Sequence, residues 1–150
     1  MNLNNKPIRI ACDGESASGK SLASKLIGKK YNLFVLNSGL IYRYASFLVI
    51  KNKPKKIYSY LNKKFKKLNY KEIANKNNLH SEKISKHVVN LAKKKKIRLI
   101  VKKFQMKIIN KHSRIVVEGR DSASSILKKN YLCAFYFTRA FMYTHLHIKF

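Results

Sequence analysis

The chain has 150 residues with 45% hydrophobic content, a size and composition that suit one domain with a buried core. Thirty-four lysines and arginines against six acids give a formal charge of +28, which points to anionic partners but says nothing of fold. Two isolated cysteines, Cys12 and Cys133, exclude a disulfide scaffold; five scattered histidines support no zinc site, and no apolar run is long enough to cross a bilayer.

In chain order, Ile8–Cys12 reads as a short buried strand. Lys20–Lys30 follows as a helix with Leu22, Ala23, Leu26 and Ile27 on one face. A second strand is expected at Leu33–Leu36 and a helix at Leu40–Ile50, with Ile41, Tyr44, Ala45 and Leu48 forming its apolar face. Residues 51–80 are polar, carry Pro54 and many lysines, and read as an insertion rather than sheet core. Ser81 is a candidate N-cap for a helix over Glu82–Lys94. A helix over Ile97–Asn110 places Ile97, Ile100, Val101, Phe104 and Ile108 on one face. Strands then fall at Ile115–Glu118 and Tyr131–Phe137. Strands alternating with helices predict an α/β fold, with a parallel sheet flanked by helices in three layers and a single domain over residues 1–150.

Between the first strand and the first helix lies Gly14-Glu15-Ser16-Ala17-Ser18-Gly19-Lys20-Ser21, which fits G-x-x-x-x-G-K-[ST] at every fixed position. Small residues in such a loop let successive backbone N–H groups converge on phosphates, and the helix points its positive end at them. Lys20 can reach the β- and γ-phosphates of ATP, and the Ser21 hydroxyl can ligate Mg²⁺. The loop alone does not say where the phosphoryl group goes, because motors, switches and kinases share it.

Two further segments narrow the choice. Leu36-Asn37-Ser38-Gly39-Leu40-Ile41-Tyr42-Arg43 resembles the D-[ST]-G-x-x-Y-R segment of bacterial cytidylate kinases, and Val116-Val117-Glu118-Gly119-Arg120-Asp121 resembles their [DE]-G-R-D segment. Ile97-Arg98 and Phe104-Gln105-Met106 are similar to the stretch between them. The resemblance runs over residues 8–138 and implies a P-loop nucleoside monophosphate kinase that moves the γ-phosphoryl group of ATP to CMP or dCMP with Mg²⁺. Residues 51–80 would be the acceptor-binding insertion.

A monophosphate kinase must hold a second phosphate near the γ-phosphate. Arginine, with its planar fork, suits that task. Only six basic residues are arginines, and two of them, Arg43 and Arg120, lie in the matched segments. Arg43 is assigned the acceptor phosphate, with an exposed helix arginine as the plain alternative. Ser38 joins it in the acceptor set. The resemblance gives Arg120 the transferring phosphates and gives Arg98 and Asp121 the cytosine, whose N4 amino group calls for a carboxylate. For Asp121 a helix N-cap over Ser122–Leu127 stays open. Glu118, and less so Asp13, is a candidate for the Mg²⁺ hydration shell.

The chain departs from the resembling family in three places: Asn37 stands where the family carries Asp, Val89 where it often has a small polar residue, and Met106 where it has arginine. Arg139–Phe150 resembles neither the family's lid nor its adenine-contacting stretch, which implies a truncated or frameshifted product and makes an inactive nucleotide-binding relic one alternative. The other is a basic nucleic-acid-binding protein, suggested by Lys55, Lys56, Lys63, Lys64, Lys66 and Lys67 alternating with Tyr58, Tyr60 and Phe65. The joint excess of Lys, Asn and Ile fits adenine- and thymine-rich codons instead, so specific nucleic-acid binding is not expected. A cytoplasmic monomer handling small nucleotides is.

Overall fold

The computed structural model describes residues 7–120 and 122–127, with the strands Cys133–Phe137 and His147–Ile148. The elements run β1 (Ile8–Gly14), α1 (Lys20–Lys30), β2 (Phe34–Asn37), α2 (Ser38–Asn52), α3 (Ile57–Lys67), α4 (Tyr70–Ala74), α5 (Glu82–Ala92), α6 (Lys95–Ile109) and β3 (Arg114–Gly119). A π-helical turn at Ser122–Ile126 and strands β4 (Cys133–Phe137) and β5 (His147–Ile148) follow. The chain divides into two compact units, one of Met1–Ser38 with Ile109–Phe150, the other of Gly39–Ile108.

The first unit is built on a sheet ordered β2-β3-β1-β4-β5. The pairs β1–β3, β1–β4 and β2–β3 are parallel, and β5 joins the edge antiparallel. This is the α/β fold that the alternating elements predict. β1 and β3 are central strands, and their near-continuous apolar runs, Ile8 to Cys12 and Ile115 to Val117, are buried as strands covered on both faces must be. Cys12 is a reduced residue of this core.

Helix α1 packs against β1, β2 and β3, but not on the face that hydrophobic spacing suggests. Ala23 and Ile27 do meet the core of Ile8, Ile10, Cys12, Leu33 and Val116. Leu22 and Leu26, however, are 65% and 59% exposed, and the buried positions are Ser24 and Gly28. The reason is close approach: a Cβ at Gly28 would run into Val35 Cγ2 and come within 3.3 Å of the Leu33 carbonyl oxygen. The helix lies so near the sheet that small residues, not leucines, define its inner face.

The second unit is helical. Its core draws on Ile41, Ala45 and Val49 of α2, Leu61 and Phe65 of α3, Tyr70 and Ile73 of α4, Ile84 and Leu91 of α5, and all five residues predicted for the inner face of α6. Phe65 meets Phe104 edge-on, with ring centroids 5.3 Å apart. The inner seam of α2 runs Ile41-Ala45-Val49, so Tyr44 and Leu48 are only half-buried. Asn69 and Glu72 close a reciprocal capping box at the start of α4, whereas Ser81 occupies the N-cap of α5 without a side-chain bond.

Candidate functional site

The loop between β1 and α1 is wound by two left-handed residues, Ala17 with φ 62° and Gly19 with φ 85°. A Cβ at Gly19 would meet nothing within 4 Å, so glycine is required there by backbone conformation rather than by space. Such a reversal turns successive N–H groups toward one concave side, the geometry that cradles an anion. Glu15 supplies the inner brace, its carbonyl oxygen accepting from Ser18 Oγ at 2.9 Å and from Lys20 Nζ at 2.5 Å. Gly19 offers no side-chain cap to α1, and its carbonyl takes the N–H groups of Leu22 and Ala23, both at 3.1 Å, so a phosphate would meet the helix at its opening amides, those of Lys20 and Ser21.

Lys20 is half-buried, and its pKa is held below the usual 10.5 by loss of hydration first; nearby Arg120 pushes the same way, while Glu118 and Asp13 oppose the shift. These four side chains therefore share one electrostatic neighbourhood. Ser21 Oγ donates to Glu118 Oε1 at 2.5 Å, across 97 positions of sequence. Asn37 Nδ2 donates to Glu118 Oε2 at 2.7 Å, and Ser24 Oγ lies 3.4 Å from the same oxygen. The sheet dictates this meeting: parallel β2 and β3 pair Asn37 with Glu118, so both side chains leave the same face at the carboxyl ends of their strands. Glu118 is 5% exposed and held by neutral donors, the state of a buried carboxylate that keeps its hydrogen bonds.

Asp13 has a different task. It is 1% exposed, and its two carboxylate oxygens accept the backbone N–H groups of Ser122 at 2.7 Å and Ala123 at 2.9 Å. It thus anchors the π-helical turn that follows Arg120, closed by Leu127 N–H on the Ser122 carbonyl at 2.8 Å. Asp13 thus satisfies the first two N–H groups of that turn; Asp121, for which the sequence leaves a cap open, lies outside the described residues. Gly119 sets the spacing before the turn, since a Cβ there would collide with Ser122 Oγ and stand 3.3 Å from Ser38 Oγ.

The first unit therefore brings together Lys20, Ser21, Asn37, Ser38, Glu118 and exposed Arg120. Arg43 and Arg98 belong to the second unit. There Arg43 Nη1 donates to the Leu79 carbonyl at 3.2 Å and to Ser85 Oγ at 2.8 Å, which ties α2 to the start of α5. Arg98 is exposed on α6. The lysine-rich α3 is amphipathic: Lys63, Lys64, Lys66 and Lys67 face solvent, while Phe65 is 4% exposed and spent on the core. Motif reading makes Asp13 a lesser candidate for the Mg²⁺ hydration shell and marks Asn37 only as a departure from the family's aspartate; the structure instead has Asp13 holding the turn after Arg120 and Asn37 holding Glu118.

Comparison with known proteins adds the decisive observation: the family model described as cytidylate kinase matches residues 10–141. The chain belongs to the cytidylate kinase family. The cytidylate kinase of Aquifex aeolicus is 34% identical over 131 residues, covering 80% of this chain and 59% of that protein. That of Mesomycoplasma hyopneumoniae is 32% identical over 133 residues, covering 81% and 58%. A bifunctional pantoate ligase/cytidylate kinase of Prochlorococcus marinus is 33% identical over 139 residues, covering 83% of this chain and 27% of its own length. The chain thus spans a little under three fifths of the stand-alone cytidylate kinases that it matches. The phosphate loop, the Asn37–Arg43 segment and the Glu118–Asp121 segment all fall within the matched range.

Proposed function

We propose that this chain carries the phosphoryl-transfer site of a cytidylate kinase, moving the γ-phosphoryl group of ATP to CMP or dCMP. The observation that carries this reading is the bond from Ser21 Oγ to Glu118: the hydroxyl that closes the phosphate loop meets an acid at the end of the neighbouring strand. That oxygen donor set, a hydroxyl beside a buried carboxylate, fits Mg²⁺, which prefers hard oxygen ligands and keeps much of its water. Ser21 would hold the ion directly and Glu118 its water shell; when bound, it supplies positive charge to the β- and γ-phosphates.

The remaining work falls to the chain's own groups. The loop amides from Gly14 to Ser21 and the first turn of α1 cradle the phosphates. Lys20, released from the Glu15 carbonyl, moves its ammonium onto the phosphate oxygens, where a full positive charge replaces hydration lost on burial. Arg120 meets the equatorial oxygens of the transferring group, and Ser38 and Arg43 hold the acceptor phosphate. Arg98 and Asp121 read the cytosine. Direct in-line transfer needs no protein nucleophile. Residues 51–80 and their surroundings serve the acceptor within a single domain, and the protein acts as a cytoplasmic monomer on small nucleotides. No helix among the described residues is long and apolar enough to cross a membrane.

The test is ADP formation from ATP and Mg²⁺ with CMP, dCMP, UMP and AMP offered separately, beside a Lys20→Ala control. Turnover confined to CMP and dCMP and lost in the control is expected. Folded protein without turnover on any acceptor would refute the reading in favour of a nucleotide-binding relic.

A further inference from the structure

We infer that Asn37 is a positioning residue for the Mg²⁺-bound form of the nucleotide, acting through Glu118 on Ser21. This rests on the reading of Lys20 and Ser21 as the ATP cradle. A serine hydroxyl can ligate a cation only through an oxygen lone pair, so its proton must be directed elsewhere. Here the proton is taken by Glu118 Oε1. That acceptor is useful only while the carboxylate is held in one orientation, and a free carboxylate turns readily about its last torsion. The Asn37 amide stops the rotation by donating to the other oxygen, Oε2, at 2.7 Å.

The chain Asn37–Glu118–Ser21 thus fixes which side of the serine oxygen faces the metal. Strand pairing sets its spacing, because Asn37 and Glu118 are direct partners in the β2–β3 register. The residue type matters as much as the place. Aspartate, which the resembling family carries here, would set a carboxylate oxygen against Glu118 Oε2 and repel it, unless a cation lay between them. With asparagine, one buried carboxylate serves the site and its orientation is set before any ion arrives. The donor set is therefore preorganised in metal-free protein, and its benefit appears only when nucleotide and Mg²⁺ come together.

The experiment measures the Kd of a non-hydrolysable ATP analogue by calorimetry in Mg²⁺ and in EDTA, for the unsubstituted protein and for Asn37→Ala, with thermal melts as the folding check. Asn37→Ala should leave the Kd in EDTA within about twofold and weaken the Kd in Mg²⁺ by roughly tenfold or more, the scale of one lost hydrogen bond to a charged group. A general structural role would weaken both equally. If Asn37→Ala does not fold, Asn37→Ser, too short to span to Oε2, replaces it with the same expectation. Mg²⁺-enhanced binding that survives in the variant overturns the role of Asn37 alone. Failure of the unsubstituted protein to bind the analogue in either buffer overturns the nucleotide site itself.

Discussion

Replacing Asp13 by asparagine tests whether one buried carboxylate holds the turn that follows Arg120. The aspartate accepts two backbone N–H groups, at 2.7 and 2.9 Å, in a site 1% exposed where water cannot substitute. Hydrogen bonds to charged groups are worth about 1.5–3 kcal/mol, neutral ones about 1 kcal/mol. Asparagine keeps one oxygen and so one bond, weakened by roughly 1 kcal/mol; its NH2 group then points at the second backbone N–H, and that bond is lost outright. Burying one charge fewer offsets part of the loss, leaving a net destabilisation of about 2–4 kcal/mol. With a urea slope of about 2 kcal/mol per molar, the midpoint should fall by about 1–2 M at unchanged slope. Urea titration followed by circular dichroism reads this directly. A midpoint shift below about 0.2 M, less than one lost bond produces at that slope, would refute the assignment of Asp13 as the anchor of the turn.

Gly28→Ala sets helix propensity against space. Propensity alone predicts a gain of about 1 kcal/mol, whereas overpacking against Val35 costs about 1–3 kcal/mol, so the net cost is about 0–2 kcal/mol, the melting temperature should fall by up to about 8 °C, and a rise would refute the close-approach account. His112 stacks on Phe34 with centroids 3.9 Å apart, and burial first, then Lys111, holds its pKa below 6.5. The unfolded chain takes up the proton more readily, so this contribution to stability is whole above 6.5 and is lost as pH falls through the lower folded value. His112→Phe should therefore flatten the decline in melting temperature between about pH 7 and pH 5, and an unchanged slope would assign that decline to other groups.

The elements were legible because period and punctuation agree in this chain. Lys20–Lys30 is helical over the predicted span, and the five apolar positions of α6 are all buried. What hydrophobicity could not reveal was contact distance. Leu22 and Leu26 look like core, yet α1 sits too close to β2 for leucine, and Gly28 and Ser24 take the inner positions. The same limit applies at the site. Motifs name Lys20, Ser21 and Glu118, but the grip of Asn37 on Glu118 exists only through strand register, and that of Asp13 on Ser122 joins residues 109 positions apart. Arg43 shows the converse: its motif suggests a ligand contact, whereas what the structure shows is its guanidinium bracing Leu79 and Ser85.

The burial of Asp13 and Glu118 bears on the field that a nucleotide would meet under the proposed function. Of the chain's six acids, these two are enclosed by hydrogen-bond donors and lend little negative potential to the solvent. Glu82 is matched by Lys86 at 2.6 Å, and Glu72 is engaged at the N-terminus of α4. Exposed Glu15 stands in the loop itself, yet with a formal charge of +28 the chain's net field is cationic and, on the proposed function, favours the approach of a triphosphate. At physiological ionic strength that pull reaches only about 8 Å. It acts as a funnel over the last steps of arrival, so the capture rate, rather than the lifetime of the complex, should carry the steepest dependence on salt.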